Sequence, residues 1–162
     1  MRSEMGEESL LVRKIDWGTV IDHIPAWRAG QVIRLLGLDS LRNNPDVSVI
    51  ILNNVPSRKY GKKDIVKIYH YYISQNECNI LSLTFPTSTI NYIRDWKVEK
   101  VKPQIPDKIV GRIRCPEVSC ITNMKREPVM PKFTVLKSYG VIQCDYCDSL
   151  LEFSKIPEYV VG

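Results

Sequence analysis

Four cysteines carry the chemistry most open to inference. Cys115, Cys120, Cys144 and Cys147 form the pattern C-x4-C-x23-C-x2-C. Short loops that carry two thiolates each can bring four sulfurs to a tetrahedron, roughly 2.3 Å from a Zn2+ ion, with the long insert forming a hairpin between the pairs. Residues 107–162 number only 56, too few to bury a large core unaided, so a cross-linking metal is physically useful there. A redox pair would instead place C-x-x-C at a helix start with a depressed thiol pKa. Here the pair follows "GVIQ", which reads as strand, and two further cysteines are at hand. Four thiolates also leave no open coordination position, which argues against a catalytic ion. The expectation is one structural Zn2+ per chain. Cys78 is left over and reads as a small buried thiol.

A second constellation is basic. The stretch "RKYGKKDIVK" sets Arg58, Lys59, Lys62, Lys63 and Lys67 against Asp64 alone, which suits either a local anion site or a solvated helix face. On a helix Lys63 and Lys67 would lie one turn apart, so that two ammonium groups could meet one polyphosphate. Asp22 and His23 are adjacent on an extended segment, and their side chains are expected to point in opposite directions. With two histidines in the chain, no nucleophile motif and a saturated metal site, no set of groups shares the roles of acid, base and nucleophile. An enzyme is not expected.

The composition agrees with a globular chain: 162 residues, 44% hydrophobic and 25% charged. That length suits one ordinary domain, or a medium domain with a small one that needs help to stay folded. The opening "MRSEMGEES" is polar and acidic, and no run approaches membrane-spanning length. A soluble, cytoplasmic protein without a membrane partner is expected. Five cysteines, an odd number, argue for metal binding or buried thiols over disulfides in a reducing compartment. The formal charge of +5 falls to about +3 once four thiolates and a divalent ion are counted. A zinc ribbon that binds nucleic acid is the main rival reading. Residues 107–162 hold eight basic and seven acidic side chains, and that balance disfavours it, so no nucleic-acid partner is expected.

Several elements must position these groups. "SLLVRKIDW" (Ser9 to Trp17) has strand composition and ends at Gly18. "IPAWRAGQVIRLLGL" places Ala29, Val32, Ile33 and Leu36 on one helical face, with Pro25 suited to a first turn and Gly37 to a helix end. "VSVIIL" reads as a central strand followed by a turn at "NNVPS". From Lys62, the apolar residues Ile65, Ile68, Tyr69 and Tyr72 suggest a second helix, "NILSLTF" alternates like a strand, and "TINYI" and "WKVEKV" continue extended. This β-α-β-α-β-β order implies a ferredoxin-like α+β fold, an antiparallel sheet with two helices on one face. "KPQIPD" is the linker candidate, dividing residues 1–106 from a small all-β, zinc-ribbon-like domain at 107–162.

Taken in order, "GTVIDHIPAW", "NVPS...GKKDIVKI", "PTSTINYI", "CPEVSCITN...EPV..KF" and "CDYCD" resemble the regulatory chains of aspartate carbamoyltransferase, from roughly residue 10 to residue 155. The resemblance implies a non-catalytic allosteric subunit of pyrimidine biosynthesis. Such chains form homodimers, bind CTP, ATP or UTP in the amino-terminal domain, and grip the catalytic chain through the zinc domain. It implies that Val12, Arg13, Lys14 and Ile15 run along the base, with Val20 nearby, and that Asp22 faces the ribose with His23 close to the phosphates. Lys63 and Lys67 would hold the triphosphate, and Asn91, Ile93, Trp96 and Val98 would complete the far wall. By itself Trp96, an aromatic on a strand, reads as core. Where UTP joins through a metal ion, the segment of Asn54 and Ser57 is implied too. Asp148 matches a position that contacts the catalytic chain. The sequence departs at one point: a family lysine aligns without gaps on Val101, with Lys100 and Lys102 on either side. Arg13 also brings charge to the base region.

Overall fold

The computed structural model of the chain describes residues 14–161. Five strands, β1 (Trp17–Pro25), β2 (Ser48–Ser57), β3 (Gly61–Tyr69), β4 (Thr89–Arg94) and β5 (Lys97–Val101), form one antiparallel sheet in the order β2-β3-β1-β4-β5. A helix α1 (Ala29–Leu35) follows β1, and a helix α2 (Gln75–Thr84) follows β3. The inner order β2-β3-β1-β4 is that of the split βαβ arrangement, and β5 extends it through a hairpin. Four shorter strands, β6 (Lys108–Val110), β7 (Lys132–Leu136), β8 (Val141–Cys144) and β9 (Leu150–Glu152), form a second antiparallel sheet in chain order. The architecture is thus α+β, followed by a small all-β region.

The chain divides into two compact units. The first comprises residues up to Ala29, Leu41–Ile73 and Thr87–Lys102. Its sheet carries a core of Ile21, Ile24, Ile65, Val66, Ile68 and Ile90, all nearly inaccessible to solvent, each worth about 1.5–3 kcal/mol on burial. Thr19, fully buried, donates its hydroxyl to Tyr71 O and accepts from the Ile73 N–H, so the chain leaving β3 is fastened to β1. Asp64 is buried as well: Oδ2 accepts from the N–H groups of Arg28 (2.8 Å) and Ala29 (2.9 Å), and Oδ1 from that of Asn54 (2.7 Å). At Gly18, φ is +143° and a Cβ would lie 1.9 Å from Ile68 O, so only glycine fits between the central strands.

The second unit comprises Gly30–Ser40, Ser74–Pro86 and the chain from Pro103. Its buried residues include Val32, Leu35, Leu81, Ile113, Phe133, Ile142 and Ile156. Helix α2 opens with a capping box: Ser74 Oγ accepts from the Glu77 N–H, and Glu77 Oε2 accepts from the Ser74 N–H.

Four elements differ from the expectations. The segment Ser9 to Trp17 falls mostly outside the described residues, and the strand begins where it was expected to end, at Trp17, with Pro25 closing it and not opening a helix. β2 lies at a sheet edge and runs on through "NNVPS", its register shifting between Leu52 and Val55; the turn comes after Ser57. Lys62 to Tyr69 is strand β3, not a helix. It is buried on both faces from Asp64 to Ile68, so no alternation shows in the sequence. "NILSLTF" lies in α2, where Cys78, Leu81 and Phe85 recur at helical spacing and the cap overrides the local alternation.

Candidate functional site

The four cysteine sulfurs lie within 4.8 Å of one another. Cys115 and Cys147 Sγ are 3.5 Å apart, and Cys120 and Cys144 Sγ 3.8 Å. A disulfide needs about 2.05 Å, whereas tetrahedral thiolates around Zn2+ at roughly 2.3 Å stand roughly 3.8 Å from one another. The quartet therefore fits a four-coordinate metal ion and not a cystine. Cys144 ends strand β8, with its N–H donated to Ser149 O, and the Asp148 N–H closes the second loop onto Cys144 O. Asn123 Nδ2 donates to the carbonyls of Cys115 and Glu117, closing the first. Two hydroxyls lie against the sulfurs: Thr122 Oγ1 is 3.2 Å from Cys120 Sγ and Ser149 Oγ is 3.1 Å from Cys147 Sγ. Nothing in the cysteine spacing points to Asn123, Thr122 or Ser149, which matter only once the loops are folded.

Burial pushes the Cys115 and Cys144 thiols up, whereas Cys147, against the same effect of burial, is brought down to about 7 by the hydroxyl and N–H of Ser149 and by neighbouring thiols. Ligation requires thiolates, so the protons of Cys115 and Cys144 must leave as an ion enters. Two protons per ion correspond to about a hundredfold rise in apparent affinity per unit of rising pH. Competition with a chelating indicator between about pH 6 and pH 8 should give that slope or a steeper one; a flat profile would rule out ligation by these thiols.

The second candidate lies on the five-stranded sheet. Residues directly opposed in an antiparallel pair project to the same face. One row across the sheet is Ile50, Lys67, Val20, Asn91 and Lys100, and the next is Ser48, Tyr69, Gly18, Ile93 and Val98. The face thus brings together five of the expected residues, Val20, Lys67, Asn91, Ile93 and Val98. Lys63 is the fourth residue before Lys67 and shares its side by strand alternation, not by a helical turn. Its ammonium meets Asp22 Oδ1 at 3.0 Å. Lys67 is only 3% exposed. Burial lowers its pKa from 10.5, against the raising effect of the Asp22 carboxylate. Lys100 stands opposite Asn91 in this row, while Val101 stands opposite the buried Ile90. Of the two lysines beside Val101, Lys100 is the one within the strand.

Asp22 and His23 do not point apart. The β1–β3 register shifts between Ile21 and Ile24, and His23 takes φ 56°. This bulge puts its N–H 2.6 Å from Asp22 Oδ1 and its Nδ1 3.0 Å from Thr89 Oγ1, with Tyr60 edge-on to the ring at 6.0 Å. An adjoining cavity of about 370 Å3 is lined by His23, Tyr60, Lys62 and Thr87 among others. Trp96 is not core: it sits 63% exposed in the two-residue turn of the β4–β5 hairpin, where Asp95 and Trp96 both have positive φ. Ile15 is buried and Lys14 exposed, while Val12 and Arg13 lie outside the described residues. Asn54 occupies the β2 bulge with φ 56°, and Ser57 Oγ accepts from the Tyr60 N–H. Cys78 is fully buried in α2, and Asp148 is exposed with φ 63°.

Two family descriptions match the chain, "Aspartate carbamoyltransferase regulatory chain, allosteric domain" over residues 10–104 and "Aspartate carbamoyltransferase regulatory chain, metal binding domain" over residues 107–157. Among curated proteins, the aspartate carbamoyltransferase regulatory chain of Thermofilum pendens is 43% identical over 158 residues, covering 96% of this chain and 98% of the relative. That of Pyrococcus furiosus is 44% identical, covering 91% and 95%. That of Pyrobaculum neutrophilum is 45% identical, covering 86% and 92%. The chain belongs to the family of aspartate carbamoyltransferase regulatory chains, with an allosteric and a metal-binding domain, and is a non-catalytic subunit of that enzyme.

Proposed function

We propose that residues 1–106 of this chain bind CTP, ATP and UTP as effectors, and that residues 107–162 hold one structural Zn2+ and transmit the effector state to the catalytic chain. The observation that carries the effector reading is the sheet face itself. Val20, Ile93 and Val98 offer apolar surface for a base, Asn91 offers an amide, and Lys63, Lys67 and Lys100 offer ammonium groups for a triphosphate. Asp22, held by Lys63, faces the ribose, and Lys100 takes the place of the family lysine that gap-free alignment puts at Val101. The division near Pro106 is supported by the irregular stretch between β5 and β6 and by the two matched ranges.

Four thiolates around one ion favour zinc among divalent metals, and the site offers no open position for chemistry. The ion would fix the loop that presents the exposed Asp148, together with Tyr146 and Leu150, to the catalytic chain. Val49 and Ile51 are exposed on the edge strand β2, which suits pairing with a second regulatory chain. Among the described residues no helix is long and apolar enough to cross a membrane, and membership of the family supports the reading of a cytoplasmic place in pyrimidine biosynthesis.

Lys67→Met tests the effector reading. Losing a charge-assisted contact to the triphosphate should weaken CTP about ten- to a hundredfold, with cytidine changed little. The same substitution should stabilise the free chain. Because the folded pKa of Lys67 is lowered from 10.5, stability falls as pH drops from 10.5 through the folded value, and the charge is a net cost at neutral pH. Calorimetry that showed equal losses for CTP and cytidine would overturn the phosphate assignment.

A further inference from the structure

Arg112 lies three residues before Cys115, on the connection from β6 to the first metal-binding loop. Its backbone is tied to the carboxy-terminal segment, its carbonyl accepting from the Val161 N–H at 3.0 Å. Its side chain reaches elsewhere. Nη2 donates to Glu77 Oε1 at 2.9 Å, in the first turn of α2, and Nη1 lies 3.4 Å from Leu35 O, the last carbonyl of α1. The seat is shaped for this group: at Gly37, φ is +64° and a Cβ would stand 2.6 Å from Nη1. Glu77 is only 12% exposed and Arg112 32%, so the ion pair is shielded in a way a surface pair is not.

We infer that Arg112 is a positioning residue for regulation, the pin through which a change at the effector face is felt by the metal-binding loops. The inference rests on the effector reading above. Glu77 serves two partners at once, holding the Ser74 N–H with Oε2 and Arg112 with Oε1. Ser74 follows Ile73, whose N–H is held by Thr19, and Thr19 precedes Val20 on the strand that lines the effector face. A shift of β1 therefore moves the start of α2, which moves a guanidinium whose planar fork fixes its orientation, and Cys115 follows three residues on. A signal of this kind needs an element that both ligand states bias, and a charged group braced between two helix ends supplies a discrete seated position.

The test uses the holoenzyme reconstituted from this chain and its catalytic chain. Glu77→Gln keeps the capping box, because glutamine serves there as well, while removing the charge that holds Arg112; Arg112→Gln removes the other partner. Both variants should lose about threefold or more of the change in aspartate saturation caused by CTP, while the CTP Kd stays within about twofold and the metal content and assembly mass are unchanged. A full CTP response in Glu77→Gln would overturn the inference. So would a loss of response that merely follows lost CTP affinity or lost metal in that variant, since the pair would then be structural. If the unsubstituted chain bound no nucleotide, the effector reading would fail first, a result distinguishable from an intact Kd with an intact response.

Discussion

Replacing Cys144 by alanine is expected to release the metal and unfold the chain from Asp107 onward, while strands β1 to β5 keep their protection from amide exchange. Cys144 is fully buried, closes strand β8, and pairs in register with Phe133, the largest fully buried side chain of the region. The four strands around it are three to five residues long, too short to hold together without a cross-link. Structural Zn2+ binds such modules with an apparent free energy of about 10–16 kcal/mol, and binding and folding are one equilibrium. The buried thiols of Cys115 and Cys120 would also be left without an ion. Exchange measured by mass spectrometry, alongside metal content, gives the answer: a metal-free Cys144→Ala chain with native protection at Ile109, Phe133 and Ile142 would show that the metal is dispensable to the fold.

The cysteine quartet was legible in the sequence because ligand chemistry demands only residue type and loop length, both of which survive without coordinates. The lysine pair was legible for a reason that was half wrong. A spacing of four places side chains on one side of a helix and also on one side of a strand, so Lys63 and Lys67 stay together although the element is β3. Alternation misled at α2, where Leu81, Leu83 and Phe85 follow a strand period over a short run; the Ser74-x-x-Glu77 cap just before them was the better signal. The Asp22–His23 bulge has no local signature. It shows only in the β1–β3 register, which shifts between Ile21 and Ile24, and His23 Nδ1 then lies 3.9 Å from Asp22 Oδ1. The placement of Lys100 likewise needed register: Val101 stands opposite the buried Ile90, and the neighbouring lysine shares a row with Asn91, Val20 and Lys67.

Asp64→Asn should be the most damaging isosteric change in the first unit, lowering stability by about 3 kcal/mol or more. The carboxylate accepts three backbone N–H groups, two on Oδ2 and one on Oδ1, and is fully buried. An amide of the same shape has one acceptor oxygen. If that oxygen faces Arg28 and Ala29, the NH2 group points at the Asn54 N–H; if it is flipped, the NH2 group meets two donors instead. Each lost bond to a charged acceptor is worth about 1.5–3 kcal/mol, and a buried donor left unpaired adds its own desolvation cost. The contrast is Asp22→Asn, which weakens a single half-buried ion pair with Lys63 in place of three backbone hydrogen bonds and should cost less than Asp64→Asn. Asp64→Asn should also weaken CTP, because Asp64 sits in β3 between Lys63 and Lys67 and anchors the β2 bulge at Asn54, so the strand that presents the ammonium groups loses its brace. Denaturant unfolding of the two variants side by side decides the matter: equal midpoints for Asp64→Asn and Asp22→Asn would mean that the buried carboxylate does not organise this end of the sheet.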